Sequence, residues 1–252
     1  MHLNNELHNT KNPQLNTEQL SAVHQTEGAV MIIAGPGSGK TRVITERIAH
    51  LMNRGVRGQN ILALTFTNKA ANEMKNRVHE ITKNHDTFSI WMGTFHSVFA
   101  KILRKESNLI GFVNNFTIYD NEDSIKTIRR IIDDRKLDKD IYNPKFIFSK
   151  ISILKNQLID STKYLEKTEL IQNDEINKQG DFKYIYQQYS IICQKSNSMD
   201  FDDLLVKTHQ LFKNNPETLE LYQSMFEYIL IDEYQDTNKV QDAIVKQLAN
   251  KH

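Results

Sequence analysis

The run Ala29-Val30-Met31-Ile32-Ile33-Ala34-Gly35-Pro36-Gly37-Ser38-Gly39-Lys40-Thr41 decides how this chain is read. Its apolar start has the pattern of a short strand, and a glycine loop closed by Gly-Lys-Thr then opens a helix. Such a loop is a phosphate cradle. Gly35, Gly37 and Gly39 admit backbone angles closed to other residues, so the N–H groups of the loop, Ser38 included, can turn on an anion at the positive end of the helix. Lys40 would reach the β and γ phosphates, and the Thr41 hydroxyl would ligate Mg²⁺. Ala34 stands where the usual pattern has its first glycine; a small side chain there demands a negative φ but still allows close approach. The bland alternative is a glycine-rich turn that only joins strand to helix.

Working outward, Tyr228-Ile229-Leu230-Ile231-Asp232-Glu233 reads as a second buried strand, ending in adjacent carboxylates. Strand alternation points neighbouring side chains opposite ways, so the two acids are assigned different tasks. Asp232 is expected at Mg²⁺, directly or through water, and Glu233 as the general base that polarises an attacking water. Without the loop, the same pair would read as a cap on the next helix.

Composition excludes little. With 252 residues, 39% hydrophobic, the chain has material for one large or two small soluble domains. A formal net charge of +1 neither supports nor excludes a nucleic-acid partner, since a neutral total can conceal a basic groove. The lone Cys193 excludes an internal disulfide and a thiolate zinc cluster, which fits a cytoplasmic setting. No run is long enough to span a bilayer, so no membrane role is expected.

In chain order, residues 1–13 are polar and expected to fray, and Leu15 to Val23 reads as a short helix capped near Asn16 or Thr17. Gln19 on it offers the donor and acceptor pair that reads adenine, or simply faces solvent. After the loop, Val43, Ile44, Ile48 and Leu51 recur at helical spacing, and Asn60 to Phe66 forms a second strand. At its end Phe66 is placed either in stacking on a base or in the core, and Asn68 either at phosphates or, with Thr67, as a helix cap. Phe88 to Thr94 repeats the arrangement, with His96 opening the next helix as a donor to a phosphate or base, or as a packing residue. From Gly111 to Ser198 the strand rhythm gives way to amphipathic helices. Lys126, Arg129, Arg130, Arg135, Lys150 and Lys155 there could face DNA or merely water. Because the phosphate site needs both flanking parts, this block reads as an insertion. Asp200 and Asp203 have capping-box spacing and are read as structure.

Taken together, Leu15 to Gln19, Ala34 to Thr41, Thr65 to Ala71, Gly93 to Ser97, Met199 to Leu204 and Asp232 to Asn238 resemble the amino-terminal part of the UvrD/PcrA/Rep group of superfamily 1 DNA helicases. The resemblance covers nearly the whole chain after Pro13, and the group tolerates alanine at the position of Ala34. It implies an α/β, RecA-like phosphate-loop domain with a parallel sheet, formed by residues 14–110 and 199–252, with residues 111–198 as an inserted all-helical subdomain. It further implies that Gln19 contacts adenine, that Arg42 lies alongside the base, that Phe66, Asn68 and His96 touch single-stranded DNA, and that Gln235 links the γ phosphate to motion.

ATP and Mg²⁺ follow as cofactors, with single-stranded and duplex DNA as substrates, 3′ to 5′ translocation, and replication and repair proteins or RNA polymerase as partners. Members of the group continue into a further strand and a second RecA-like domain that supplies arginines to the γ phosphate. The chain ending at His252 is therefore expected to bind ATP weakly and not to step along DNA. Two rivals remain open: the motor part of an ATP-dependent nuclease subunit, and a nucleotide-regulated adaptor that never translocates.

Overall fold

The computed structural model describes residues 15–83 and 85–250, so the expected fraying of residues 1–13 lies outside it. Three parallel strands, β1 (Ile61–Thr65), β2 (Trp91–Thr94) and β5 (Tyr228–Ile231), form a sheet in the order β2-β1-β5. β1 is central, with Leu62 opposite Trp91 and Leu64 opposite Ile231. All five of its residues are buried, as a parallel strand covered on both faces requires.

Alternation along β1 divides two layers of helices. Ile61 and Ala63 join a core with Ile48, Leu51 and Met52 of α2 (Lys40–Asn53) and Met74 and Val78 of α3 (Asn68–Thr82). Leu62 and Leu64 join the opposite core, built on α4 (Phe95–Lys105), α10 (Phe201–Asn214), α11 (Pro216–Met225) and α12 (Lys239–Ala249). Capping explains where these helices begin: the side chains of Thr67, Thr94, Asp200 and Asn238 each accept from a first-turn N–H.

Between the two parts of the sheet run α5 (Asn121–Asp134), α6 (Pro144–Asn156), α7 (Ser161–Leu165), α8 (Thr168–Ile176) and α9 (Phe182–Lys195). These helices have a hydrophobic core of their own, in which Ile128, Ile132, Ile147, Ile151, Phe182 and Tyr186 are almost wholly buried. Where the chain enters and leaves this block, β3 (Thr117–Ile118) and β4 (Ser198–Met199) pair in parallel. This pair was not expected from the sequence.

One expectation needs correction here. The apolar run from Ala29 to Ala34 is not a strand: it joins no sheet, and Met31 and Ile33 are 77% and 90% exposed. A strand exists only as part of a ladder, and no described strand adjoins this run. The cations of the helical block divide: Lys126, Arg129 and Arg130 are exposed, whereas the other three are held by acids from other parts of the chain. Lys155 is buried between Asp200 and Asp203, Lys150 pairs with Asp174, and Arg135 pairs with Asp181.

Candidate active site

The loop before α2 turns on glycine. Gly37 and Gly39 have φ of +73° and +87°, whereas Gly35 does not need a positive φ. Gly39 occupies the N-cap of α2 without a side-chain hydrogen bond, and no acid stands in the first turn. The positive end of that helix is therefore open toward the loop. Lys40 Nζ lies inside the loop, donating to the carbonyls of Ala34 and Gly35 at 3.2 and 3.4 Å. Ser38 Oγ donates to Gly35 O at 2.7 Å and tightens the turn.

The second acidic run arrives at this point from β5. The Asp232 N–H donates to the Leu64 carbonyl at 2.9 Å, which carries the ladder one residue past the strand. Asp232 Oδ2 accepts from Thr41 Oγ1 at 3.4 Å, although 191 positions separate the two residues. Glu233 Oε1 lies 3.9 Å from Lys40 Nζ. Alternation is not what distinguishes the acids, because Glu233 leaves the strand in a left-handed conformation, φ +53°. Both carboxylates thereby reach the start of α2, with different partners. Gln235 Nε2 donates to Glu233 Oε2.

Asp232 is 95% removed from solvent, being 5% exposed, and its Oδ1 is buried with no hydrogen-bond partner. Burial and then the charge of Glu233 push its carboxyl above the ordinary range, against the opposing effects of Thr41 and Lys40. A hydroxyl and an orphaned carboxylate oxygen form a hard, all-oxygen donor set of the kind that suits Mg²⁺.

Gln19 also comes to the loop. It sits at the third position of α1 (Thr17–His24) in a capping box with Asn16, and its Nε2 donates to the Ser38 carbonyl at 2.9 Å. Arg42 lies on the first turns of α2, 4.0 Å from Glu46.

The other candidates gather at the carboxyl ends of the strands. Phe66, 36% exposed, follows β1 with its ring 5.6 Å from that of Phe95. Asn68 is exposed at the start of α3, where Thr67 and not Asn68 is the cap. His96 lies on α4, its ring edge-on to Phe201 at 5.8 Å; burial lowers its pKa and Asp202 opposes that shift. These two line an open cleft of about 630 Å³ with Asp202, Asn121, Glu122 and Phe148. Sequence reasoning missed Phe201. Its apolar neighbours Leu204 and Leu205, three and four residues on, place it on a stripe that reads as core, yet it is 48% exposed.

This fold and geometry define an α/β protein in which a glycine loop, a lysine and an acidic pair share one edge of a parallel sheet. Residues 15–252 match the family described as UvrD/REP helicase N-terminal domain, and the chain belongs to that family. It is 44% identical over 238 residues to the protein named ATP-dependent DNA helicase PcrA of Staphylococcus epidermidis, covering 94% of this chain and 32% of the relative. The Staphylococcus aureus protein of that name is 42% identical over the same length and coverage. The chain thus spans about a third of the length of the curated relatives it matches. Among the described residues no helix is long and apolar enough to cross a membrane.

Proposed function

We propose that this chain is the ATP-binding part of an ATP-dependent DNA helicase or translocase. It is organised as a RecA-like core of residues 14–110 and 199–252, with residues 111–198 as an inserted helical unit. The separate core of the helical block and the β3–β4 pair at its neck support that division. The observation that carries the function is the meeting of Lys40 and Thr41 with Glu233 and Asp232 across the length of the chain.

In this reading the loop from Gly35 to Lys40 and the open end of α2 hold the phosphates, and Gln19 and Arg42 hold the adenine. Thr41 and Asp232 hold Mg²⁺, which supplies neutralisation of phosphate charge when bound. Lys40 leaves the loop carbonyls for the β and γ phosphate oxygens. Glu233, oriented by Gln235, accepts a proton from the attacking water at its carboxylate. Phe66, Asn68 and His96 contact single-stranded DNA, and exposure adds Phe201 to them as a stacking surface. The acidic lining of the cleft beside His96 disfavours phosphate there and leaves a base as the better occupant. Unwinding of duplex DNA with 3′ to 5′ polarity, a role in replication and repair, and a cytoplasmic location belong to the same proposal.

Lys40→Ala tests it. Nucleotide binding should fall by at least about 100-fold, since a charge-assisted contact and its geometry are both lost, while the circular dichroism spectrum stays unchanged. Unaltered ATP affinity in a folded variant contradicts the assignment. DNA stimulation of hydrolysis in a chain that includes the remainder of the relatives' length separates a motor from an adaptor, which should show none.

A further inference from the structure

α2 carries Lys40 and Thr41 on its first turn and Arg47 about two turns further on. Arg47 is buried, and its Nη1 donates to the carbonyl of Ala22 at 2.6 Å. That carbonyl lies in the last turn of α1, where C=O groups have no partner within the helix and a cation meets the negative end of the dipole. Beyond α1, Arg54 Nη1 donates to Thr26 Oγ1 at 3.3 Å. At the other end of α1, Gln19 reaches Ser38 of the loop. The helix has eight residues, of which only Val23 is buried. So short a helix with so little apolar contact does not hold its place unaided. Polar grips at its two ends, together with the edge-on packing of the His24 ring on His50 at 4.6 Å, hold it against α2.

We infer that Arg47 is a positioning residue for adenine recognition, holding α1 on the phosphate-binding helix so that Gln19 meets the base while Lys40 holds the phosphates. The inference rests on the reading of Gln19 and the loop as a nucleotide site. α2 then sets the spacing between base and phosphate sites: its first turn serves one end of the nucleotide, and Arg47 fixes the reader of the other. Loss of the grip should spare the phosphates and blur the base.

Arg47→Met keeps the buried stem and removes every donor. Calorimetric titration of the present chain with ATP, inosine triphosphate and inorganic tripolyphosphate, all with Mg²⁺, provides the test. ATP affinity should fall about tenfold, the increment of a hydrogen bond to a charged group. The preference for ATP over inosine triphosphate should approach one, with tripolyphosphate affinity unchanged. Equal losses for all three, or a preserved preference, overturn the inference. Amide exchange gives a second readout: Leu20 to His24 should exchange faster while β1 stays protected, and equal acceleration of β1 makes Arg47 a general fold residue and also overturns it. Gln19→Ala isolates the underlying reading. If it leaves the base preference intact, Gln19 is not the adenine reader; if it abolishes the preference and Arg47→Met does not, only the positioning role fails.

Discussion

Asp232 shows how one residue can be set for a ligand at the expense of the empty fold. Its carboxylate is buried, one oxygen lacks a partner, and Glu233 adds repulsion. A carboxyl whose folded pKa is raised binds its proton more tightly than in the unfolded chain, so this group favours folding at low pH. That contribution is lost as pH rises from the ordinary value of 3.8 through the folded pKa. At neutral pH, Asp232→Asn should therefore raise the melting temperature of the nucleotide-free protein and weaken Mg²⁺-dependent nucleotide binding. A lower melting temperature would show that the carboxylate is structurally satisfied. The sequence made Asp232 legible as a candidate because two acids follow a β-type run. It did not make the conformation of Glu233 legible, since a left-handed non-glycine residue is imposed by its surroundings and carries no local signature.

At the scale of elements, the joint between α6 and α10 is built on buried charge. Lys155 Nζ lies 2.6 Å from Asp200 Oδ2 and 2.7 Å from Asp203 Oδ1, and Tyr189 donates to Asp200 at 2.8 Å. Burial alone would raise the Asp200 carboxyl, but the Lys155 ammonium holds it below the ordinary range. Lys155→Met leaves the buried carboxylate of Asp200 and the partly buried one of Asp203 without their cation, which should lower stability by about 3–5 kcal/mol in urea unfolding. A loss under about 1 kcal/mol, the range of an exposed pair, would deny the joint this role. Half of this joint is legible locally: the capping box of Asp200 and Asp203 follows from spacing, whereas Lys155 lies far from them in sequence and reads as a helix cation facing DNA or water. The same limit explains the other discrepancies. Helix positions were readable because 3.6-residue periodicity and caps are local, while the β3–β4 pair and the unpaired state of Val30 to Ile33 depend on distant neighbours.

Across the whole molecule, the two helical layers and the parallel sheet bring segments from opposite ends of the chain to one edge, where Thr41 meets Asp232. If both hold one cation, they act as a unit and their losses cannot add. The most direct measurement is a double-mutant cycle on Thr41→Val and Asp232→Asn, reading the affinity for Mn²⁺·ATP by electron paramagnetic resonance and the affinity for metal-free ATP in parallel. The account predicts that each single change weakens Mn²⁺·ATP and that the double variant is no weaker than the worse single one, with metal-free ATP little affected. Additive losses, or an Asp232→Asn variant that binds Mn²⁺·ATP as the parent does, would contradict it.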